Sequence, residues 1–364
     1  MKLLFDAGSC IRATSKFSTC TKCVDICPVE TIELVENIPA FTPSACITCG
    51  GCVGVCPTES FSLSDFSTTH FFFEFLDMQK HQLLCKDKIS CLSTLSVEHL
   101  LALALANEKQ LVVNLEGCHC GGEDQRLRDQ IRANIEEVNF LLESISSKQI
   151  AIEQFDPLLM DKEPERVIDR RDFLSLKTAL KGKGSFDEAV EADELKSFAL
   201  DSDAIDRIRD KNIPDKRKLL FSVLKRLERP KLYDVLATED ISFISQKFVE
   251  EHCTNCQICY RICPTGALSS DSKSSVINFD AMICLKCHLC HDVCEPNAIH
   301  LQAGFELKEL FEPTQRTLAK FTIKRCQSCG NYFTYRGGEE ECTRCKIEEE
   351  EAMMLHQNAQ KRDF

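Results

Sequence analysis

The chain has no apolar run of membrane-spanning length; candidates such as Leu100-Leu101-Ala102-Leu103-Ala104-Leu105-Ala106 are far too short. No secretory leader is legible, because Met1-Lys2-Leu3-Leu4-Phe5 runs directly into Asp6, Gly8 and Ser9. Positive charge is in short supply, with 44 Lys and Arg against 57 Asp and Glu, a formal net charge of −13. That balance argues against nucleic acid or anionic lipid as the main partner. Catalytic signatures are missing too. No G-x-G-x-x-G follows a strand, Gly182-Lys183 lacks the rest of a phosphate loop, and no nucleophile–base pair stands out. Together these absences predict a cytoplasmic protein with no direct membrane span, no nucleic-acid partner, and no flavin, nicotinamide or nucleotide site of its own.

Cysteine is what the chain has in abundance, 24 of them. In a reducing compartment, clustered cysteines are expected as metal ligands rather than disulfides. They fall in four bands, at 10–56, 85–120, 253–294 and 326–345. A charged, cysteine-free stretch separates the second band from the third. It carries Leu219, Leu220, Val223, Leu224 and Leu227 at helical spacing between Pro214 and Pro230, and a Lys-Gly-Lys-Gly-Ser joint at 181–185. It reads as a helical connector. Bands one and three repeat each other: each holds two cysteine runs, and each run leads into a short apolar segment (31–34, 60–63, 266–268 and 298–301).

The run Cys253-x2-Cys256-x2-Cys259-x3-Cys263-Pro264 has the bacterial iron–sulfur spacing, and Cys284-x2-Cys287-x2-Cys290-x3-Cys294 repeats it with its proline displaced to 296. Three cysteines three apart wrap one cubane, and the fourth reaches the partner cluster. One cluster is then expected on Cys253, Cys256, Cys259 and Cys294, the other on Cys284, Cys287, Cys290 and Cys263. The N-terminal band holds one full run, Cys46, Cys49, Cys52 and Cys56-Pro57. It also holds an incomplete one, Cys20, Cys23 and Cys27-Pro28, with Phe17 where the first ligand belongs. Cys10 lies upstream and a loop could return it to the vacant corner. The expected sets are Cys10, Cys20, Cys23 and Cys56, and Cys46, Cys49, Cys52 and Cys27. A three-iron cluster or a non-cysteine ligand is the competing reading at that corner.

Both bands resemble the two-cluster bacterial ferredoxin family, over about a third of the chain. The resemblance implies small pseudo-symmetric α+β units, four [4Fe–4S] clusters and electron transfer. Two look-alike motifs are set aside. Cys284-Leu-Lys-Cys287-His288 fits a haem-attachment pattern but sits inside a cluster run. Arg170-Arg171-Asp172-Phe173-Leu174 resembles an export motif but lies deep in the chain without an apolar stretch after it.

In the middle band, 71–75 (Phe-Phe-Phe-Glu-Phe) reads as a buried strand, 96–107 as a helix capped by Ser96, 111–115 as a second strand and 123–146 as an amphipathic helix. This βαβα order predicts a small α/β domain, with Cys85, Cys91, Cys118 and Cys120 beyond its strand ends. The order is similar to the delta-type electron-transfer subunits of methyl-viologen-reducing hydrogenases, which implies a fifth iron–sulfur cluster. Zinc or reduced thiols stay open for these four cysteines, and His119 reads as a loop residue. At the C-terminus, Cys326-x2-Cys329 and Cys342-x2-Cys345 flank Tyr332, Phe333 and Tyr335, which resembles a zinc ribbon. One structural zinc is expected there, with iron the alternative; Glu348 to Glu351 read as a solvated helix or tail.

The expected fold class is therefore α+β. Two ferredoxin-like dicluster modules (1–66 and 246–305) flank a small α/β domain (67–155) and a helical connector (156–245). A zinc ribbon and acidic tail (306–364) come last. The expected function is an electron-transfer protein or subunit that relays single electrons through four clusters to or from a partner oxidoreductase, with no catalytic site of its own. The alternative is a redox-sensing or assembly protein that uses its clusters and ribbon structurally.

Overall fold

The computed structural model describes residues 1–85, 88–115, 118, 122, 124–153 and 211–360. Within the first band the elements are β1 (Leu3–Phe5), α1 (Ile11–Thr14), α2 (Lys22–Asp25), β2 (Ile32–Val35), β3 (Ile38–Phe41), α3 (Gly51–Val55) and β4 (Phe61–Leu63). Strands β1 and β4 pair antiparallel, with Phe5 opposite Phe61; β2 and β3 form a hairpin. Its two turn residues, Glu36 and Asn37, both have positive φ (49° and 71°), which matches the strand twist in a two-residue loop.

The phenylalanine run at 71–75 is not a strand. It lies inside α4 (Thr68–Asp77), capped by the Ser67 hydroxyl, which accepts from the His70 amide at 3.3 Å. Phe71, Phe72 and Phe75 are buried on one face, so the run carries a helical stripe and not an alternation. Next come β5 (Gln82–Leu84), α5 (Val97–Ala106), β6 (Val112–Asn114), α6 (Arg126–Ile145) and β7 (Ala151–Glu153). The three strands form a parallel sheet in the order β5-β6-β7, so the first strand falls at 82–84 instead of 71–75. Helix α5 is buried almost throughout, which accounts for its apolar sequence.

Residues 170–174 and 181–185 lie outside the described residues. The described end of the expected connector is no solvated link. There α7 (Asp215–Leu224) packs on α5, and Leu219, Leu220, Phe221 and Leu224 are core residues. Arg217, fully buried, binds the Glu98 carboxylate of α5. It also donates to the Met282, Cys284 and Phe243 carbonyls, the last two at 2.9 and 2.7 Å. The helix therefore clamps the helical layer of the middle domain to the second ferredoxin-like part.

That second part contains β8 (Val235–Ala237), β9 (Lys247–Val249), α8 (Ile258–Ile262), β10 (Leu268–Ser269), β11 (Val276–Asp280), α9 (Leu289–Asp292), β12 (Ile299–Leu301) and β13 (Gly304–Glu306). The β9–β12 pair repeats β1–β4, and β10–β11 repeats β2–β3. This part extends beyond 305: after α10 (Lys308–Phe311), β14 (Gln315–Lys320) adds to the edge of β11. A hairpin of β15 (Ile323–Arg325) and β16 (Tyr332–Thr334) and the exposed helix α11 (Thr343–Gln360) come after it. Among the described residues, no helix is long and apolar enough to cross a membrane.

The buried charges make this packing testable. Arg217→Met strands Glu98 in the core and should cost about 3–5 kcal/mol. Denaturant unfolding should show much of that loss returned by adding Glu98→Gln, and a loss within about 1 kcal/mol would disprove the clamp. His99, 3 % exposed, has its pKa pushed down to about 3 by burial, with the Lys216 charge adding to it. An unfolded histidine takes a proton near pH ~6.5 while folded His99 stays neutral, so stability falls as pH drops below that value. His99→Gln should flatten the wild-type loss between pH 7.5 and 5.5 by up to about 1.4 kcal/mol per pH unit.

Candidate iron–sulfur and metal centres

Each cysteine run is shaped by left-handed residues at fixed places. In the three full runs, the residue two after the first cysteine has positive φ: Thr48 (52°), Asn255 (54°) and Lys286 (47°). So does the residue after the second cysteine: Gly50 (76°), Gln257 (71°) and His288 (62°). These turns aim amides at sulfur. The Thr48 amide donates to Cys46 Sγ at 3.4 Å and the Lys286 amide to Cys284 Sγ at 3.5 Å. His288 is thus a turn residue, in keeping with setting haem aside.

A second device comes after every fourth cysteine. Glu30, Glu59, Gly266 and Asn297, each three residues on, all have positive φ. The next amide then meets the sulfur in two cases, Ser60 to Cys56 at 3.3 Å and Ala298 to Cys294 at 3.2 Å. The displaced Pro296 does not change the turn: the Asn297 amide donates to the Cys294 carbonyl at 2.8 Å, as the Glu30 amide does to Cys27 at 3.2 Å.

The thiols meet in fours. Cys27, Cys46, Cys49 and Cys52 line one cavity, Cys263, Cys284, Cys287 and Cys290 a second, and Cys253, Cys256, Cys259 and Cys294 a third. Cys10, Cys20, Cys23 and Cys56 also lie near one another: burial raises the Cys20 and Cys23 thiols most, and charge on Cys56 and on Cys10 raises both further. Cys10 is buried at the start of α1. Its loop is tied back by Arg12, which donates to the Cys20 carbonyl and to Asn37. Phe17 is 61 % exposed and does not fill the corner.

Burial pushes the Cys49 thiol up to about 11, and the Cys23 and Cys290 thiols each to about 12. The neighbouring sulfurs push further in the same direction. Four thiolates in such a space need a cation core, and the amides aimed at sulfur fit an iron–sulfur group.

The middle thiols adjoin the first module. Cys85 follows β5, Cys91 is wholly buried, and Cys118 lies beyond β6; the Cys85 thiol bonds to both others, which holds it protonated. Cys120 and His119 lie outside the described residues. Ser93 donates to Cys91 Sγ at 3.2 Å, and Thr94 donates to the Cys49 carbonyl at 3.2 Å. The contact is so close that a Cβ on Gly54 would sit 2.0 Å from the Ser93 carbonyl oxygen.

At the C-terminus, Cys326, Cys329, Cys342 and Cys345 place their sulfurs within 4.8 Å of one another. The Cys326–Cys345 and Cys329–Cys342 separations are 3.8 and 3.7 Å. A tetrahedron with metal–sulfur bonds of ~2.3 Å has edges of ~3.8 Å, so this set can bind a metal. Backbone amides of Cys329 and Cys342 lower the Cys326 thiol to about 6, favouring the thiolate a metal requires. The C-terminal hairpin docks on the second module: Arg336 donates to the Cys253 carbonyl, and Asn255 donates to Thr334 Oγ1 at 2.9 Å.

Sequence reasoning missed the cations that touch the runs from outside. Lys216 donates to the Cys56 carbonyl and Arg217 to that of Cys284. The signal available was their place at the start of an apolar helical stripe, just after Pro214.

Residues 18–60 and 252–298 each match the family model of the 4Fe-4S dicluster domain. The chain is thus an iron–sulfur protein of the electron-transfer type, with two dicluster domains that imply [4Fe–4S] clusters. No curated protein and no solved structure matches it.

Gly54→Ala must push the Ser93–Thr94 turn of the middle domain off α3. The expected cost is about 1–3 kcal/mol in thermal or denaturant unfolding. Unchanged stability would mean that the close approach is not a feature of the folded protein.

Proposed function

We propose that the chain is a relay that carries single electrons through four [4Fe–4S] centres, to or from a partner oxidoreductase. The observation that carries this reading is the gathering of sixteen cysteines into four groups of four, each at one corner set of the two repeated modules. The proposed ligands are Cys10, Cys20, Cys23 and Cys56; Cys27, Cys46, Cys49 and Cys52; Cys253, Cys256, Cys259 and Cys294; and Cys263, Cys284, Cys287 and Cys290. When bound, the clusters supply one-electron chemistry; the chain's own residues bury them, aim amides at their sulfurs and hold their ligands at fixed separation.

The C-terminal thiols are proposed to hold one structural zinc, with iron the alternative. Cys85, Cys91 and Cys118 are proposed as part of a fifth iron–sulfur site that continues the wire past Cys49. Their mutual hydrogen bonds and the bond that Thr94, three residues after Cys91, donates to the Cys49 carbonyl support this. Proximity favours a relay over a sensor: each group adjoins another, which sensing alone does not require.

Iron, acid-labile sulfide and zinc on anaerobically purified protein test the proposal. Four cubanes give about sixteen iron and sixteen sulfide, and a fifth site adds two to four iron. Cys10→Ala should lose about one iron and gain the EPR signal of an oxidised three-iron centre. Eight iron or fewer in the unmutated chain would dismiss the four-centre relay, and an unchanged Cys10→Ala spectrum would remove Cys10 from the ligands.

A further inference from the structure

Ile11, Leu289 and Val293 form a small buried cluster separate from the main core, and Cys20, Cys287 and Ile262 pack against it. Ile11 follows Cys10 on the first module, while Leu289 lies between Cys287 and Cys290 on the second. The rim of this contact is fastened by Thr19, whose amide and hydroxyl donate to the Asp292 carboxylate at 2.9 and 3.1 Å. Two consecutive residues of α7 also reach the two modules, in opposite directions. Lys216 donates to the carbonyl of Cys56 and Arg217 to that of Cys284. Those two cysteines belong to the two thiol groups that face each other here. The other two groups lie against other parts of the chain, one against Thr94 of the middle domain and one against Arg336 of the C-terminal hairpin.

Resting on the proposed ligand sets, we infer that the two modules exchange electrons at this one junction, between the centre at Cys10, Cys20, Cys23 and Cys56 and the centre at Cys263, Cys284, Cys287 and Cys290. The four centres then form a single series. Its ends are the centres at Cys27, Cys46, Cys49 and Cys52 and at Cys253, Cys256, Cys259 and Cys294. The step moves one electron: one facing centre is oxidised as the other is reduced, and no bond forms or breaks. The junction suits that step. Ile11, Leu289 and Val293 are buried at the contact, and the Thr19–Asp292 bonds and the α7 clamp hold the separation, so little reorganises when charge moves.

Two variants of the holoprotein test this by EPR. Cys46→Ala, Cys49→Ala and Cys52→Ala with Cys253→Ala, Cys256→Ala and Cys259→Ala take three ligands from each end centre, which removes both and leaves the facing pair; Cys10→Ala, Cys20→Ala and Cys23→Ala with Cys284→Ala, Cys287→Ala and Cys290→Ala do the reverse. Each should retain about eight iron from its two cubanes. After full reduction, the first variant should give broadened, split resonances from two neighbouring spins, and the second two independent spectra. Independent spectra from the first variant, with its iron in place, overturn the junction and leave the four-centre reading intact.

A second measurement needs no variant. Lys22 and Leu285, the residue before Lys286, line one cavity, which puts Lys22 across the junction from Lys286. Lysine cross-linking of the unmutated holoprotein should join Lys22 to Lys286. Lys22 linked only to lysines of its own module overturns the junction, whereas an unmutated chain without iron overturns the reading beneath it.

Discussion

Everything in this fold answers one constraint: a cubane needs four sulfurs around it, and a short stretch of chain can supply only three. The fourth must come from a run that serves a neighbour, so the two runs of each pair are bound to one another through their ligands. Helical or strand geometry cannot hold cysteines three apart around a common point. The chain instead places left-handed residues at Thr48, Asn255 and Lys286, and again three residues after each fourth cysteine. Such conformations are unfavourable for ordinary side chains, and they persist because the surrounding thiols and amides over-determine them. The strands are correspondingly short, and their antiparallel pairs close the two ends of each module.

The same constraint explains how much could be read from the sequence. Ligand spacing is set by covalent reach, so the two modules and the C-terminal knuckles announce themselves without any knowledge of packing. Periodicity gave less. Five residues, Phe71 to Phe75, fit either a strand or a helix, and the deciding feature was the cap at Ser67, outside the run. The turn after Cys294 shows the reverse case. Its proline is displaced, yet Asn297 takes the left-handed position as readily as Gly266 does in the matching turn.

Helix α7 was legible from its apolar spacing, but the contacts of its charged residues were not, for a physical reason. Charged residues usually mark the solvent side of a helix, and Lys216 and Arg217 are charged. Here that side is buried as well, because backbone carbonyls of Cys56, Met282, Cys284 and Phe243 and the Glu98 carboxylate await it. Nothing local to residues 215–224 reveals those acceptors. They come from parts of the chain far away in sequence, and only the assembled modules create them.

The charges at this helix end also have to coexist with anionic centres on both sides. Arg217 is matched by Glu98. Lys216 is shared between Glu98, 3.8 Å away, and the carbonyl of Cys56. Glu59 caps the same helix, accepting from the amides of Asp215 and Lys216 at 2.7 and 3.1 Å. The cations are therefore near neutral balance with their carboxylates before any cluster charge is counted. In the proposed relay, an electron arriving at either facing centre meets a fixed positive group, Lys216 on one side and Arg217 on the other. Removing Arg217 would take from Glu98 its closer partner at 2.5 Å and leave Lys216 at 3.8 Å, which disfavours folding. On that reading the same two side chains serve fold stability and the electrostatics of electron transfer.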